Sequence, residues 1–112
     1  SKKAKRMAIT AEHLHQVLHK GIKYNNLIIQ DITNPNCGTS FNIYMCSPTF
    51  DSLNMVKRHR MVYSILENEM PNIHALTLKL WSTEEWPRNS ASIPTHLLNS
   101  DYGPSNGQDS NM

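Results

Sequence analysis

The chain has 112 residues, a formal net charge of +2 and two cysteines, which fits one domain with short extensions. Four basic residues lie within the first six positions, so the rest of the chain is slightly acidic. Nucleic-acid-binding domains usually carry their basic surface on the fold itself, so this distribution argues against nucleic acid as the main partner. No apolar run reaches the length of about 18 residues that a membrane-spanning helix requires.

Composition divides the chain into three parts. Residues 1–7 are a basic segment that we interpret as a flexible arm or a remnant of cloning. Residues 8–86 contain the periodic apolar pattern and form the predicted domain. Residues 87–112 are rich in Pro, Gly, Ser and Asn, which predicts a disordered tail because little apolar surface offsets chain entropy. We expect a cytoplasmic protein, and the short basic arm is compatible with additional nuclear localisation.

The first half of the domain predicts a helix and a β-hairpin. Thr10 is a good N-cap and Gly21 a good helix end, and apolar residues recur between them at helical spacing. Residues 27–33 are short and β-branched, which is typical of a strand. Residues 34–38 are a dense turn cluster of Asn, Pro and Gly, and residues 40–46 alternate as a second strand.

The second half predicts a helix followed by a third strand. From about residue 54 to 70 the pattern is helical, and Pro71 ends it. Residues 74–81 alternate strictly, and residues 83–86 resemble a final helical turn. The order α-β-β-α-β predicts an α/β (α+β) domain with one three-stranded sheet and its helices on one face. The apolar stripe of the second helix consists of Met55, His59, Val62 and Leu66.

Two groups of cationic and imidazole side chains lie on the predicted helices. His15 and His19 share a surface one turn apart and are able to chelate, but no further Cys or carboxylate follows at ligand spacing. We interpret them as solvated histidines. Residues 57–60, Lys-Arg-His-Arg, spread around the second helix at about 100° per residue, which indicates a solvated face more than a nucleic-acid stripe. Within this run, His59 falls in the apolar stripe and is interpreted as a hydrogen-bonded core histidine, whereas Arg58 lies on the flank of the stripe.

The two cysteines are expected to be free thiols in a reducing compartment. Cys46, in the second strand, lies roughly 20 Å along that strand from the turn that holds Cys37, whereas a disulfide needs Cα atoms within about 7 Å. Cys46 is interpreted as core packing. Cys37 is either a tolerated loop cysteine or a thiol available to metal or oxidant. His74 opens the third strand at its rim and, taken alone, suggests a structural histidine. Trp81 and Trp86 are packing residues or a small recognition surface.

Motifs in the second half of the chain resemble those of the BolA family. Phe50, Leu53 and Val56 are followed by R-H-R-M-V-Y at 58–63 and I-H-A at 73–75, and T-E-E-W at 83–86 is similar to the family's end. The loop 33–41 resembles the variable loop in which these proteins carry a histidine or a cysteine, here Cys37. The resemblance covers residues 8–86. Ser52 stands where the family usually has glycine, which suggests a small local rearrangement.

The BolA resemblance implies a K-homology-like fold and a non-enzymatic function. The protein would be a monomer when alone and would pair with a monothiol glutaredoxin, sharing a bridging 2Fe–2S cluster in iron–sulfur trafficking and iron regulation. Its cysteine-containing loop resembles that of the cytosolic–nuclear branch. Cys37 and His74 would be the cluster ligands, with a glutaredoxin cysteine and glutathione supplying the others. They can meet only if the start of the third strand lies beside the hairpin turn, and a parallel pairing of the third strand with the second would place it there. The implied partner-binding residues are Arg58, Arg60 and Ala75, and His59 would be structural.

Two alternatives stay open. The K-homology-like fold suggests a nucleic-acid-binding transcriptional regulator, although that recognition mode uses a GXXG loop that this sequence lacks. A reductase-like enzyme would need a paired cysteine or an activating motif. No C-x-x-C, H-E-x-x-H, nucleophile elbow or glycine-rich phosphate loop is present, so we do not expect catalysis.

Overall fold

Two helices cover one face of a three-stranded sheet in the computed structural model, which describes residues 8–36 and 38–99. This confirms the predicted α-β-β-α-β order. Within these residues, no helix combines the length and the apolar character needed to cross a membrane. The helices are α1 (Ala11–Gly21), α2 (Met55–Ile65) and the short α3 (Trp86–Asn89), and the strands are β1 (Asn26–Asp31), β2 (Ser40–Cys46) and β3 (Ala75–Trp81).

Local capping and a glycine define the course of α1. The hydroxyl of Thr10 accepts the backbone N–H of His13 at 3.0 Å, which satisfies one of the unpaired donors at the helix start. The helix ends at Gly21, where an added Cβ would lie 2.6 Å from Cγ2 of Ile65 on α2. Only a residue without a side chain permits this approach, so Gly21 allows α1 and α2 to pack closely.

The sheet has the order β1-β2-β3 and mixes two kinds of pairing. The hairpin strands β1 and β2 are antiparallel, whereas β2 and β3 are parallel, from the pair Ser40 and Ala75 to the pair Cys46 and Trp81. A parallel neighbour requires a long crossover, and α2 provides it. The first residue of β3 therefore lies beside the first residue of β2, which is the arrangement that the two proposed cluster ligands require.

Alternation along the strands divides the apolar side chains between the two faces of the sheet. The face toward α1 and α2 holds the main core, in which the buried side chains of the three strands meet those of the helices. The strand residues of this core are Leu27, Ile29, Phe41, Ile43, Met45, Leu78 and Leu80, and the helix residues are Leu14, Leu18 and Val62.

The opposite face of the sheet is covered by residues whose composition predicted a disordered tail. Residues 87–99 form α3 and two 3-10 turns, in which Ile93 is 4% and Leu97 is 7% exposed. These two side chains pack on Ile28 and Trp81, so the prediction of disorder is wrong for this segment. Few apolar residues suffice here because the outer face of the sheet supplies the rest of the buried surface. Residues 1–7 and 100–112, also predicted to be flexible, lie outside the described residues.

The two tryptophans belong to this second cluster. The ring centroids of Trp81 and Trp86 are 5.8 Å apart, and Tyr44 lies 6.3 Å from Trp81. Trp81 is 9% exposed. Of the two interpretations left open by the sequence, the structure favours packing, because residues 87–99 pack against these rings.

Candidate functional site

The hairpin turn between β1 and β2 is held by short side chains that bind the backbone. The carboxylate of Asp31 accepts the N–H of Thr33 at 2.9 Å, and the amide oxygen of Asn34 accepts the N–H of Asn36 at 2.8 Å. The N–H of Gly38 donates to the carbonyl of Asn34 at 2.7 Å. Gly38 has φ 99°, a conformation that suits glycine. The residues on both sides of Cys37 are thus held in place, although Cys37 itself lies outside the described residues.

His74 lies directly against this turn. Its backbone N–H donates to the carbonyl of Thr39 at 2.7 Å, and a Cβ added to Gly38 would be 3.1 Å from the Cβ of His74. The side chain of His74 is exposed. The structure therefore places the exposed imidazole of His74 beside Gly38, at the end of the turn. Cys37 is the residue immediately before Gly38 in the sequence. The rim position predicted for His74 is confirmed, and its proximity to residue 38 follows from the parallel pairing of β2 and β3.

This arrangement supplies few candidate metal donors at the end of the sheet where β2 and β3 begin. A 2Fe–2S cluster takes four protein or thiol ligands, and histidine replaces cysteine in some centres. Cys37 and His74 would fill two of the four positions, so a cluster at this edge would need two donors from other molecules. Among residues 8–36 and 38–99, no group of three or more His, Cys, Asp or Glu side chains is placed to hold a metal ion.

The second cysteine, Cys46, is buried in the core. Cys46 is 1% exposed, and its thiol donates to the carbonyl of Ser82 at 3.6 Å. Burial and, to a lesser extent, the nearby carboxylates of Asp51 and Glu85 together raise the pKa of this thiol to about 11. A thiol that stays protonated is a poor nucleophile and a poor metal ligand. The structure confirms Cys46 as a free core cysteine.

Arg58 is buried within the domain, which corrects its assignment to partner binding. It is 5% exposed, and its Nε donates to the carbonyl of Leu53 at 2.9 Å. Its Nη1 donates to the carbonyl of Leu80 at 3.1 Å and to the carboxylate of Glu85 at 2.8 Å. The guanidinium also lies 5.9 Å from the ring centroid of Phe50. All these partners belong to the same chain, so Arg58 ties α2 to β3 and the following turn.

The burial of Arg58 shifts the apolar stripe that the sequence predicted for α2. Val62 and Leu66 are buried as expected, but Met55 is 49% exposed. His59 is half-buried and its Nδ1 donates to the carbonyl of Met55 at 2.9 Å, within its own helix. His59 is therefore a helix-surface residue, and its placement in the core was wrong. The buried face of α2 is therefore rotated relative to the predicted stripe, because Arg58 in the first turn faces the carbonyls of Leu53 and Leu80.

The remaining residues assigned to partner binding are exposed. Ala75 is exposed at the start of β3, next to His74. Arg60 is exposed on α2 and lines a groove of about 620 Å³ between α1 and α2. Lys23 and Lys57 line the same groove, whose apolar lining includes Ile22, Met61 and Ile65. This basic groove is not visible in the sequence, because Lys23 joins the cations of α2 only in the folded domain.

The comparisons with known proteins agree with this architecture. The family model described as BolA-like protein matches residues 5–85. The chain belongs to the BolA-like family. BolA-like protein 2 of Mus musculus is 32% identical over 82 residues, which cover 73% of this chain and 95% of that protein. Protein BOLA2 of Arabidopsis thaliana is 37% identical over 88 residues, which cover 78% of this chain and 94% of that protein.

A solved structure supports the same assignment at the level of the fold. The bol-like protein from Babesia bovis matches this BolA-like domain with a TM-score of 0.68 and 29% identity, covering 73% of this chain and 94% of that one. Together these similarities confirm the family and the fold that the motifs at 50–86 suggested. They also relate the chain to proteins named BolA-like protein 2.

Proposed function

We propose that this BolA-like protein is a non-enzymatic partner of a monothiol glutaredoxin and shares a bridging 2Fe–2S cluster with it in the cytoplasm. Cys37 and His74 would be its two ligands, and the glutaredoxin cysteine and a glutathione thiol would supply the others. The cluster is cargo, to be passed on in iron–sulfur trafficking and iron regulation. The main support is the exposed imidazole of His74, which lies against Gly38, the residue that follows Cys37.

The two ligands would have different degrees of freedom. His74 is the residue before β3, and its N–H binds the carbonyl of Thr39 at 2.7 Å, so its backbone belongs to the sheet. Cys37 lies in the sequence between β1 and β2, and we expect another donor to be able to take its place. We therefore expect His74 to govern the assembly of the mixed cluster and Cys37 to govern its electronic character and lability. Histidine ligation usually raises the reduction potential of such a cluster, which suits a carrier.

The test is to purify the protein with a monothiol glutaredoxin and glutathione and record the visible circular dichroism of the complex. His74→Ala should weaken the mixed cluster strongly, and Cys37→Ala should change its spectrum more than its assembly. The matched controls are His59→Ala, which removes a histidine elsewhere on the surface, and Cys46→Ala, which removes the buried thiol. Both controls should keep the wild-type spectrum. Spectra that stay unchanged in both the Cys37 and the His74 variant would refute the ligand assignment.

A second candidate function is nucleic-acid binding in transcriptional regulation, and the basic groove favours it. Lys23, Lys57 and Arg60 lie together along this groove, and phosphate neutralisation by such cations supplies most non-specific affinity for nucleic acids. Retention of DNA or RNA that falls steeply with salt and is lost in Lys57→Gln would support this alternative. We rank it second because the chain has no GXXG loop.

A further inference from the structure

Cations line both sides of the groove between α1 and α2. Lys57 and Arg60 lie one turn apart on α2, and Lys23 lies across from them, two residues beyond the end of α1. All three residues are exposed. Among residues 8–36 and 38–99, no Asp or Glu lines this groove or forms an ion pair with any of the three cations. Their charge is therefore available to a molecule from outside the domain.

Apolar side chains line the same groove. Ile22 is buried, and Met61 and Ile65 are half-buried. The groove has a volume of about 620 Å³, which lies in the range of sites that hold a ligand or a side chain of a partner. Apolar surface that is rimmed by charged residues is typical of sites that bind another molecule. The groove thus offers an apolar contact and several positive charges to one occupant.

We propose that this groove binds a short acidic segment of a partner protein, in which carboxylates flank an apolar side chain. The carboxylates would pair with Lys23 on one side and with Lys57 or Arg60 on the other. The apolar side chain would lie against Met61 and Ile65. Clusters of basic side chains recognise acidic motifs through such charge-assisted hydrogen bonds. The flexible thioether of Met61 adapts to apolar side chains of different shape.

The lining of the groove favours a peptide over nucleic acid. Single-stranded DNA and RNA are held largely by bases that stack on aromatic side chains. None of the described residues that line the groove is aromatic. A duplex presents a regular array of phosphates, which would pair with the cations but would leave the apolar part of the lining uncovered. A segment that carries both carboxylates and an apolar side chain matches both parts of the lining.

The groove and the proposed cluster ligands lie toward different ends of β2. The hydroxyl of Ser47, the residue after β2, donates to the carbonyl of Lys23 at 2.6 Å. His74, by contrast, lies beside Gly38, which precedes the strand. The seven residues of β2 span roughly 20 Å between these two places. A segment held at Lys23 would leave His74 accessible, so binding at the groove does not depend on the cluster.

The test is fluorescence anisotropy of the full-length protein, without metal or glutaredoxin, with a labelled ten-residue peptide in which Asp and Glu flank two leucines. Lys57→Glu reverses one charge and should weaken binding by about tenfold, whereas Lys23→Gln and Arg60→Gln should each weaken it by about threefold, the size expected for an exposed ion pair. Met61→Gln should weaken it by about fivefold because apolar contact is lost. The matched control is Lys79→Gln, which removes an exposed lysine of β3 outside the groove and should bind like the wild type.

Variants of the peptide separate the two contributions, and chemical shifts locate the site. Replacing the leucines by serine, or the carboxylates by amides, should each weaken binding by about tenfold or more, and added salt should weaken binding of the intact peptide because exposed charges are screened. Changes in amide chemical shift should centre on residues 21–23, 49 and 57–65. Changes centred on residues 38–40 and 74–76 would refute the groove as the site. Affinities that are unchanged in both Lys57→Glu and Met61→Gln would refute it equally.

Other occupants of the groove would be recognised by the same measurements. If an oligothymidylate of equal charge binds more tightly than the peptide and is weakened in Lys57→Glu, the groove is a phosphate site and the proposal is refuted. A dimer that forms without peptide and dissociates in Lys57→Glu would assign the groove to a second copy instead. Peptide affinity that rises by about tenfold on truncation after residue 99 would assign it to the chain's own last residues, which include Asp101 and Asp109. Far-ultraviolet circular dichroism of each variant should match the wild type, because the substituted residues lie at the surface.

Discussion

Replacing Arg58 with methionine should lower the free energy of unfolding by about 3 kcal/mol, and the contacts of the side chain give the reason. Methionine keeps much of the apolar stem, so little packing is lost. It donates nothing, however, and the carbonyls of Leu53 and Leu80 each lose the guanidinium donor. A buried polar group left without its partner costs roughly 1–3 kcal/mol, and two such groups account for the estimate. Glu85, whose side chain is 34% exposed, can regain water and contributes less.

Urea unfolding monitored by tryptophan fluorescence measures this change, with an unchanged m-value as evidence that the unfolding transition is otherwise the same. Glu85→Gln and the double variant complete a mutant cycle that isolates the ion pair from the backbone contacts. We expect the coupling between Arg58 and Glu85 to be smaller than the total loss in Arg58→Met. A coupling energy equal to the whole loss would show that the two carbonyls contribute nothing.

Acid sensitivity provides a second measurement on the same residues. The hydrogen bond from Arg58 lowers the pKa of Glu85, and the N–H of Ser82 lowers it further. A carboxylate with a depressed pKa stabilises the fold above its unfolded pKa, and that stabilisation is lost as pH falls through the folded value. Wild type should therefore lose more stability than Arg58→Met on acidification. An unfolding free energy of Arg58→Met within about 0.5 kcal/mol of the wild-type value would refute the structural role of Arg58. If Arg58→Met also abolished the proposed glutaredoxin complex at that unchanged stability, Arg58 would be a partner contact.

Two truncations and two substitutions test the fold and the proposed site. Truncation after residue 88 should lower the free energy of unfolding by about 2 kcal/mol, because it exposes the outer face of the sheet. Truncation after residue 99 should leave the melting temperature within a few degrees of the wild-type value. Equal stability of the two truncated forms would contradict the packing of residues 87–99. Gly38→Ala should cost about 1–2 kcal/mol at its positive φ and weaken the shared cluster by displacing His74, which thermal melting and visible circular dichroism would detect. His59→Ala should cost less than about 1 kcal/mol, since its hydrogen bond is local, and a larger loss in urea unfolding would indicate a core position.

The sequence predicted the elements better than the environment of individual side chains. Strict alternation at 74–81 and the turn cluster at 34–38 were enough to predict the sheet, and the proximity of His74 to the turn followed once β3 was parallel to β2. A helical stripe, by contrast, is predicted from the spacing of apolar residues alone. It cannot show that the long side chain of Arg58 reaches buried carbonyls. The family resemblance supplied the role of Cys37, and that role stays a prediction.

The errors at the end of the chain have a different cause. Composition averages over a segment, whereas two well-placed side chains, Ile93 and Leu97, are sufficient to cover a sheet face that is already apolar. Contacts between distant residues were also hidden. The hydroxyl of Tyr24 reaches His19 only because the chain turns back after α1, and Lys23 joins Lys57 in one groove for the same reason.

The parallel pairing of β2 with β3 has a consequence for when the two proposed cluster ligands come together. The two strands are separated in the chain by the whole of α2, so their contact is non-local and forms late, after a costly loop has closed. The imidazole of His74 reaches the turn beside Gly38 only in that final arrangement. In a chain that has not yet formed this pairing, the two proposed ligands would lie apart, and loading of the proposed cluster would thus report that the domain is folded.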